Sequence, residues 1–489
     1  MGLVWGGDER MTFIIFVNGL ILIFFAVLMG IDALIFPDTA EVFGFAGLLT
    51  GAFGAMLSVV TASSSYRGIR QLHAFLLTSS VWLVAGMVGA VPLWMWNLPL
   101  TDALFEAMSG ITTTGSTVMS GLDTTPRGVI FWRALLQAVG GVGFIVTGIA
   151  LLPILKVGGM QLFRTESSDK GEKELRNAAV FASATLQVYV GLIGVCAVVY
   201  LAGGMGPFDA ITHAMTTLST GGYSGYDASF GHFQSPFLQW AGTFFMLLGA
   251  LPFAWYIRGV YRWRFRSEQV EAMLITLSAV IAVLTVWMVI RNGTEPLEAL
   301  RMVAFNVVSV VTTTGYATTD YTLWGPFAVA AFFILTAVGG CTGSTAGGAK
   351  AMRWLLFAKA ARMQVQLIRL PHRVTSIKYE GRPVQEDVMG GVITFFVVYM
   401  GTFMVLSIAL GFFGLDVATA TSGALTALAN VGPGVGKIIG PAGNFATLSD
   451  PVKLILFFGM FVGRLEMLTL YVILTPVFWR EIGPLNLAD

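Results

Sequence analysis

The sequence predicts an all-α membrane protein: two leading transmembrane helices, then four repeats of a helix, half-helix, loop, helix unit. Three observations predict it. Hydrophobic residues make up 56% of the 489-residue chain and charged residues 11%, against about 25% charged in an ordinary soluble domain. Apolar runs of roughly 20 residues, the length that spans a hydrocarbon core, recur from end to end. Four short polar stretches, each ending in glycine, interrupt them: Thr112-Thr113-Thr114-Gly115, Ser219-Thr220-Gly221-Gly222, Thr312-Thr313-Thr314-Gly315 and Ala429-Asn430-Val431-Gly432.

The first two spans, near 12–36 and 41–62, form an N-terminal extension over residues 1–70. The first reads as a retained span rather than a cleaved signal segment. Eight more follow near 73–97, 127–155, 178–202, 235–257, 270–291, 324–370 (the only broken one expected), 386–412 and 452–478. Before each glycine loop lies a moderately apolar stretch too short to cross: 101–113, 207–219, 295–311 and 415–428. These read as half-helices that enter and stop. The repeats are bounded at 71–176, 177–266, 267–382 and 383–489.

Charge sets the orientation. Most of the 28 basic residues gather in alternate connectors: Arg67 and Arg70; Lys156 to Arg176; Arg258, Arg262, Arg264 and Arg266; and the largest group, Lys350 to Arg382. By the positive-inside rule these connectors and both termini are cytoplasmic. The last segment, 350–382, reads as too charged to be buried, and Arg362, Arg369 and Arg373 as a docking surface for a cytoplasmic regulator or as topogenic charge.

Irregular backbone survives at membrane depth only where it is packed in protein or lines a water-filled cavity. Four such loops around one axis predict a central pore. A ring of backbone carbonyls replaces the water of a permeating cation, and glycine supplies the left-handed geometry that turns the carbonyls inward. Neutral carbonyls suit potassium, whereas small divalent ions take carboxylates; none of the four loops carries Asp or Glu. The expected filter is Thr113, Thr114, Gly115, Thr220, Gly221, Gly222, Thr313, Thr314, Gly315, Asn430, Val431 and Gly432. The half-helices aim their partly negative C-terminal ends at this ring. Asp123, Asp227 and Asp320 follow three of the loops and stand at an outer mouth. A lone Thr-Thr-Gly is an ordinary helix cap; four in register are not.

These residues resemble the Trk/Ktr/HKT potassium-transporter superfamily. Phe105-Glu106-Ala107 with Thr112 to Gly115 is similar to its first pore loop, and Phe208-Asp209-Ala210 with Thr220-Gly221-Gly222-Tyr223-Ser224 to its second. Phe305-Asn306-Val307-Val308-Ser309 with Thr312-Thr313-Thr314-Gly315-Tyr316 is similar to its third, and Asn430-Val431-Gly432-Pro433-Gly434 to its fourth. The two leading helices resemble the Trk branch. The resemblance implies a potassium uptake protein of the bacterial inner membrane, a homodimer with one pore per subunit, and a cytoplasmic nucleotide-binding regulator of the TrkA type. Glycine in all four loops goes with potassium in this family, and serine in the first with sodium.

The broken eighth span holds Gly339-Gly340-Cys341-Thr342-Gly343-Ser344-Thr345-Ala346-Gly347-Gly348, five glycines in ten residues, at about 1 kcal/mol of helix stability each relative to alanine. It resembles the intramembrane loop that gates the family's pore from below, and its glycines leave little side-chain packing to hold it, so that it is expected to move. Close packing by small residues is the alternative; a phosphate loop is not, because Ala349-Lys350 replaces Lys-Ser/Thr. Gly463-Arg464 matches the family's arginine near that loop, with pairing to Glu466 or Glu106 as the alternative role. Arg464 is expected to oppose a leaving cation by repulsion. Glu106 reads as an anchor within its half-helix, and Cys196 and Cys341 as small buried side chains.

Scattered histidines and the lack of a His-Glu-x-x-His or nucleophile elbow argue against a membrane-embedded enzyme. The expected function is conduction of potassium with no organic cofactor. The rival is a proton- or sodium-coupled transporter, whose mark would be several broken helices and midplane carboxylates.

Overall fold

The computed structural model describes residues 9–62, 71–151, 178–263, 265–372, 376–465 and 467–482. Among them are eighteen α-helices and one small hairpin, Lys378–Tyr379 paired with Arg382–Pro383. The chain is an integral membrane protein, with six helices long and apolar enough to cross and two further bent pairs that qualify together. Their outward faces carry Leu34, Leu48, Val59, Ile290, Val397 and Ile408 uncovered by protein, which suits lipid and no aqueous surface.

Helices α1 (Glu9–Ile35) and α2 (Ala40–Val60) form the N-terminal hairpin. Small residues let their backbones touch. A Cβ on Gly54 would come within 2.7 Å of the Leu22 Cβ and 2.8 Å of the Gly19 carbonyl. The four repeats follow. The first is α3 (Gln71–Trp96), half-helix α4 (Leu100–Ile111) and α5 (Arg127–Leu151). The second is α6 (Ala178–Ala202), half-helix α7 (Pro207–Leu218), α8 (Pro236–Gly249) and α9 (Phe253–Arg262). The third is α10 (Glu268–Asn292), half-helix α11 (Pro296–Val311), α12 (Pro326–Thr336) and α13 (Ala351–Arg369). The fourth is α14 (Glu386–Phe412), half-helix α15 (Val417–Ala429), α16 (Asp450–Arg464) and α17 (Met467–Leu474), with a short α18 (Pro476–Ile482) after it.

The half-helices begin where local chemistry says they should. Proline occupies the first turn of α7 and α11, where its missing N–H costs nothing. The Asp416 carboxylate caps α15 by accepting from the Thr419 amide, and the Thr419 bonds hold its pKa below the usual carboxylate range.

Each repeat hands on to the next in the same way. Helix α5 packs on half-helix α7, α8 on α11, α12 on α15, and α16 returns to α4. The ring is therefore closed within one chain. Polar bonds reinforce two of the seams. Between repeats 4 and 1, Lys453 Nζ lies 2.6 Å from Asp102 Oδ1. Within repeat 1, the fully buried Arg133 and Glu106 pair at 2.8 Å, and Arg133 carries the contact across to repeat 2. Arg133 Nη1 also donates to the Ser224 carbonyl (2.9 Å), and its guanidinium lies 4.1 Å from the centre of the Tyr223 ring. Glu106 accepts in addition from the Thr117 hydroxyl and the Val118 amide. Glu106 is thus an anchor, and its cationic partner is Arg133 rather than Arg464.

Two sequence expectations need correction. Among the described residues three spans are broken, not one. The sixth turns by 92° between α8 and α9, at Leu251-Pro252, where proline has no N–H to continue a helix; the tenth breaks after Arg464. Segment 350–382 is also not wholly solvated. Lys350 and Arg353 are buried: Lys350 donates to the Ala346 carbonyl, and the Arg353 guanidinium stacks 3.9 Å from the Phe395 ring centre. Beyond Leu356 the side chains of α13 are mostly exposed, Arg362 and Arg369 among them. Arg67, Arg70, the basic residues from Lys156 to Arg176, Arg264, Arg373 and Glu466 lie outside the described residues.

Removing one member of a buried ion pair strands the other charge, at about 3–5 kcal/mol. Arg133→Ala is therefore expected to lower the melting temperature in detergent markedly, and Arg133→Ala with Glu106→Gln to recover part of the loss. Melting like the wild type would show that the pair does not hold the first repeat together.

Candidate functional site: a four-loop ring and the loop beneath it

Half-helices α4, α7, α11 and α15 end in the same motif. The amide of the fifth residue onward bonds back into the last turn: Thr114 to the Ser109 carbonyl (2.8 Å), Gly221 to Thr216 (2.9 Å), Thr314 to Ser309 (2.8 Å) and Val431 to Thr426 (3.1 Å). This closure needs a left-handed residue just before it, normally glycine. Here the position is held by Thr113, Thr220, Thr313 and Asn430, with φ of 55°, 51°, 58° and 55°. Left-handed backbone is costly for a β-branched residue, about 1–3 kcal/mol each. Two residues on, Gly115, Gly222, Gly315 and Gly432 are left-handed again. In extended backbone successive residues face opposite ways; reversing the handedness at every second residue turns the carbonyls toward one side. The helix cap and the glycine loop are thus one piece of backbone.

The four glycines interlock in a cycle. A Cβ on Gly115 would overlap the Gly221 carbonyl, one on Gly222 the Thr314 carbonyl, one on Gly315 the Val431 carbonyl, and one on Gly432 would come within 2.8 Å of the Thr114 carbonyl. Each loop's glycine therefore abuts the residue before the next loop's glycine. No side chain fits at any of the four.

The residues after the glycines brace the ring. Tyr223 donates to the Glu106 and Ser116 carbonyls in repeat 1 (2.8 and 3.2 Å). Tyr316 bonds the Thr216 hydroxyl in repeat 2, and Ser116 donates to the Gly432 carbonyl at 2.9 Å. The fourth, Pro433, has no group to donate. Outside the ring lies a cavity of about 380 Å³ lined by all four glycines, Ser224, Tyr226 and Asp227. Asp227 accepts from the Gly121 and Leu122 amides, and Asp123 from the Asp227 amide. Asp320 instead caps the next turn at Thr322.

Beneath the ring, residues 339–348 are buried. The sequence suggested a segment that its glycines leave loosely held, but the loop is bonded on every side. It fills the break in the sixth span: the Cys341 amide donates to the Ala250 carbonyl (3.0 Å), Thr345 Oγ1 to Gly249 (2.9 Å), and the Phe253 amide to Gly343 (2.9 Å). Gln269 grips Thr342 through both amide atoms, and the Ser344 hydroxyl turns back to the Cys341 carbonyl. Two bonds reach the ring itself: Thr220 Oγ1 to Thr345 Oγ1 at 3.2 Å, and the Gly347 amide to Thr313 Oγ1 at 2.7 Å. The Gly348 amide donates to the Ala429 carbonyl at the end of α15. Gly339 and Gly348 are left-handed and so close that neither has room for a Cβ; Gly340 packs on Ala346 and Ala250.

Arg464 Nη1 donates to the Thr345 carbonyl (3.0 Å) and Nη2 to the Gly140 carbonyl (2.9 Å). The guanidinium therefore clasps the loop to repeat 1. A water-sized space of about 20 Å³ remains between Gly347, Lys350, Asn430, Gly463 and Arg464.

The four glycine loops lie against one another and residues 339–348 bond to them from beneath, and the structure adds groups the sequence did not single out. Arg133 and Gln137 are the chief ones. They lie four residues apart on an apolar span, on one face, and two such polar residues at membrane depth are a functional signal in themselves.

Comparison with known proteins agrees with this architecture. The family model TrkH, described as a cation transport protein, matches residues 41–290 and 272–477. The chain is 45% identical over 445 residues to the Trk system potassium uptake protein TrkI of Halomonas elongata, covering 88% of this chain and 90% of that protein. It is 35% identical over 480 residues to TrkH of Escherichia coli, covering 95% and 98%. The crystal structure of the potassium transporter TrkH from Vibrio parahaemolyticus superposes with a TM-score of 0.88 at 31% identity, over 96% of this chain and all of that one. The chain belongs to the TrkH family of cation transport proteins.

Proposed function

We propose that the protein takes up potassium through the ring, with the carbonyls of Thr113 to Gly115, Thr220 to Gly222, Thr313 to Gly315 and Asn430 to Gly432 as the filter. The observation that carries this reading is the interlocking of the four glycines, each set against a backbone carbonyl of the next loop with no room for a side chain. Neutral oxygens without a carboxylate suit a large monovalent cation, and the named relatives are potassium proteins. The cation moves down its electrochemical gradient, at about 2.3 kcal/mol per charge per 100 mV. The repeat boundaries at residues 71, 177, 267 and 383, the bacterial inner membrane, cytoplasmic termini, a homodimer and a TrkA-type regulator belong to the same reading. The three broken spans are a feature that coupled transporters share, so proton or sodium coupling is the second reading.

Gly115→Ser tests the filter. Its side chain would meet the Gly221 carbonyl in a left-handed backbone position. Sodium is expected to compete with potassium uptake in a transport-deficient strain; unchanged discrimination at normal protein levels would sink the assignment.

In this reading residues 339–348 are the gate, held shut under the ring by Thr220, Thr313 and Arg464. Arg464→Ala removes the clasp on Thr345 and is expected to raise potassium flux with selectivity unchanged. Deletion of 341–347 is expected to make flux less dependent on the regulator. Reduced single-channel conductance in the first and full regulator dependence in the second would make both elements purely structural.

The exposed end of α13 is the regulator's docking surface in this proposal. Neutralising Arg362, Arg369 and Arg373 together should weaken co-purification of the regulator without loss of membrane insertion. A complex that survives at raised salt would place the docking surface elsewhere.

A further inference from the structure

Loop 2 differs from the other three in how its backbone is held. Loops 1 and 3 carry a hydroxyl latch of their own: Thr112 to Thr114 at 2.7 Å and Thr312 to Thr314 at 2.8 Å. Loop 4 is tied through Asn430 Nδ2, which donates to Thr114 Oγ1 (3.0 Å) and to the Met460 carbonyl (2.9 Å). In loop 2 the matching positions are Ser219 and Gly221. Ser219 turns away to the Thr216 carbonyl, and Gly221 has no side chain. The missing latch comes from another repeat. Gln137, fully buried on α5, donates from Nε2 to the Gly221 carbonyl at 2.6 Å and accepts from the Tyr223 amide at 3.0 Å. It also fills the side-chain space of Gly221, where a Cβ would overlap its amide carbon.

The Gly221 carbonyl is a member of the ring, the one that Gly115 abuts. Among the described residues, the carbonyls at the same level in the other loops, those of Thr114, Thr314 and Val431, accept no protein hydrogen bond. A donor behind one carbonyl does two things. It restrains that oxygen from following a smaller ion inward, and it draws off part of the negative potential the oxygen offers to the axis. Both affect which monovalent cation the level prefers, since preference depends on the number, field and freedom of the carbonyls.

We propose that Gln137 is a specificity-determining positioning residue: acting from repeat 1, it sets the Gly221 carbonyl of loop 2 and thereby the preference of the ring for potassium over sodium. The proposal rests on the filter reading above. Gln137→Met keeps the volume and removes both hydrogen bonds. In vesicles reconstituted with the full chain, it is expected to lower the potassium-to-sodium flux ratio by about tenfold, the equivalent of one ordinary hydrogen bond. Gly115→Ser is run beside it. If Gly115→Ser admits sodium and Gln137→Met leaves the ratio unchanged, the filter stands and the role of Gln137 is overturned; if neither moves the ratio, both readings fall. A second variant covers a failure of Gln137→Met to accumulate. Gln137→Ala with Gly221→Ala refills the space from the other side without restoring a donor. A folded double variant with a lowered ratio supports the proposal; one that regains the wild-type ratio shows that Gln137 only packs, and overturns it.

Discussion

A backbone amide or carbonyl that leaves a helix within the membrane has no water to turn to, and the whole arrangement follows from how this chain meets that demand. Its breaks are paired with one another. The carbonyls of Gly249 and Ala250, freed where the sixth span stops before Pro252, are taken by Thr345 and Cys341 of the broken eighth span. The Ala429 carbonyl at the end of α15 is taken by Gly348, and Arg464, where the tenth span breaks, spends two donors on Thr345 and Gly140. Each interruption is stable because another faces it. The same bonding joins the loop under the ring to three repeats at once, including Thr220 and Thr313 of the ring.

The ring itself is held from behind, by a different device in each quarter. Repeat 1 meets repeat 2 through Arg133, which reaches the Ser224 carbonyl, and through Tyr223; repeat 2 meets repeat 3 through Tyr316, and repeat 4 meets repeat 1 through Ser116 and Lys453. At the corresponding place between repeats 3 and 4 stands Pro433, which donates nothing; on the other side of the ring Gly347 and Gly348 bond to Thr313 of repeat 3 and Ala429 of repeat 4.

Much of this was legible in the sequence, and what was not has a physical reason. The half-helices α4, α7, α11 and α15 lie within a few residues of the stretches read as too short to cross, because span length and a terminal glycine are local signals. The break at Leu251-Pro252 escaped because the apolar composition runs on through it, and the partners that satisfy the carbonyls freed there lie almost a hundred positions away. The glycines of 339–348 suggested freedom, whereas in the fold they permit backbone contact too close for any side chain. Arg464 suggested a charge facing the ion path, whereas two of its donors are committed to carbonyls. Composition reports what a residue can do; only the partner across the fold decides which of those things it does.

The ring closes within one polypeptide, with Gly432 abutting the Thr114 carbonyl to complete the circle that Gly115 begins. In a pore built from identical subunits, any inherited change strikes every side of the ion path at once. Here a single codon alters one quadrant and leaves three intact. On the proposed reading of the ring as a filter, selectivity can therefore drift in quarter steps, and the four sides are free to divide labour. Threonine, glycine and valine already stand at one and the same level of the ring, as Thr114, Gly221, Thr314 and Val431.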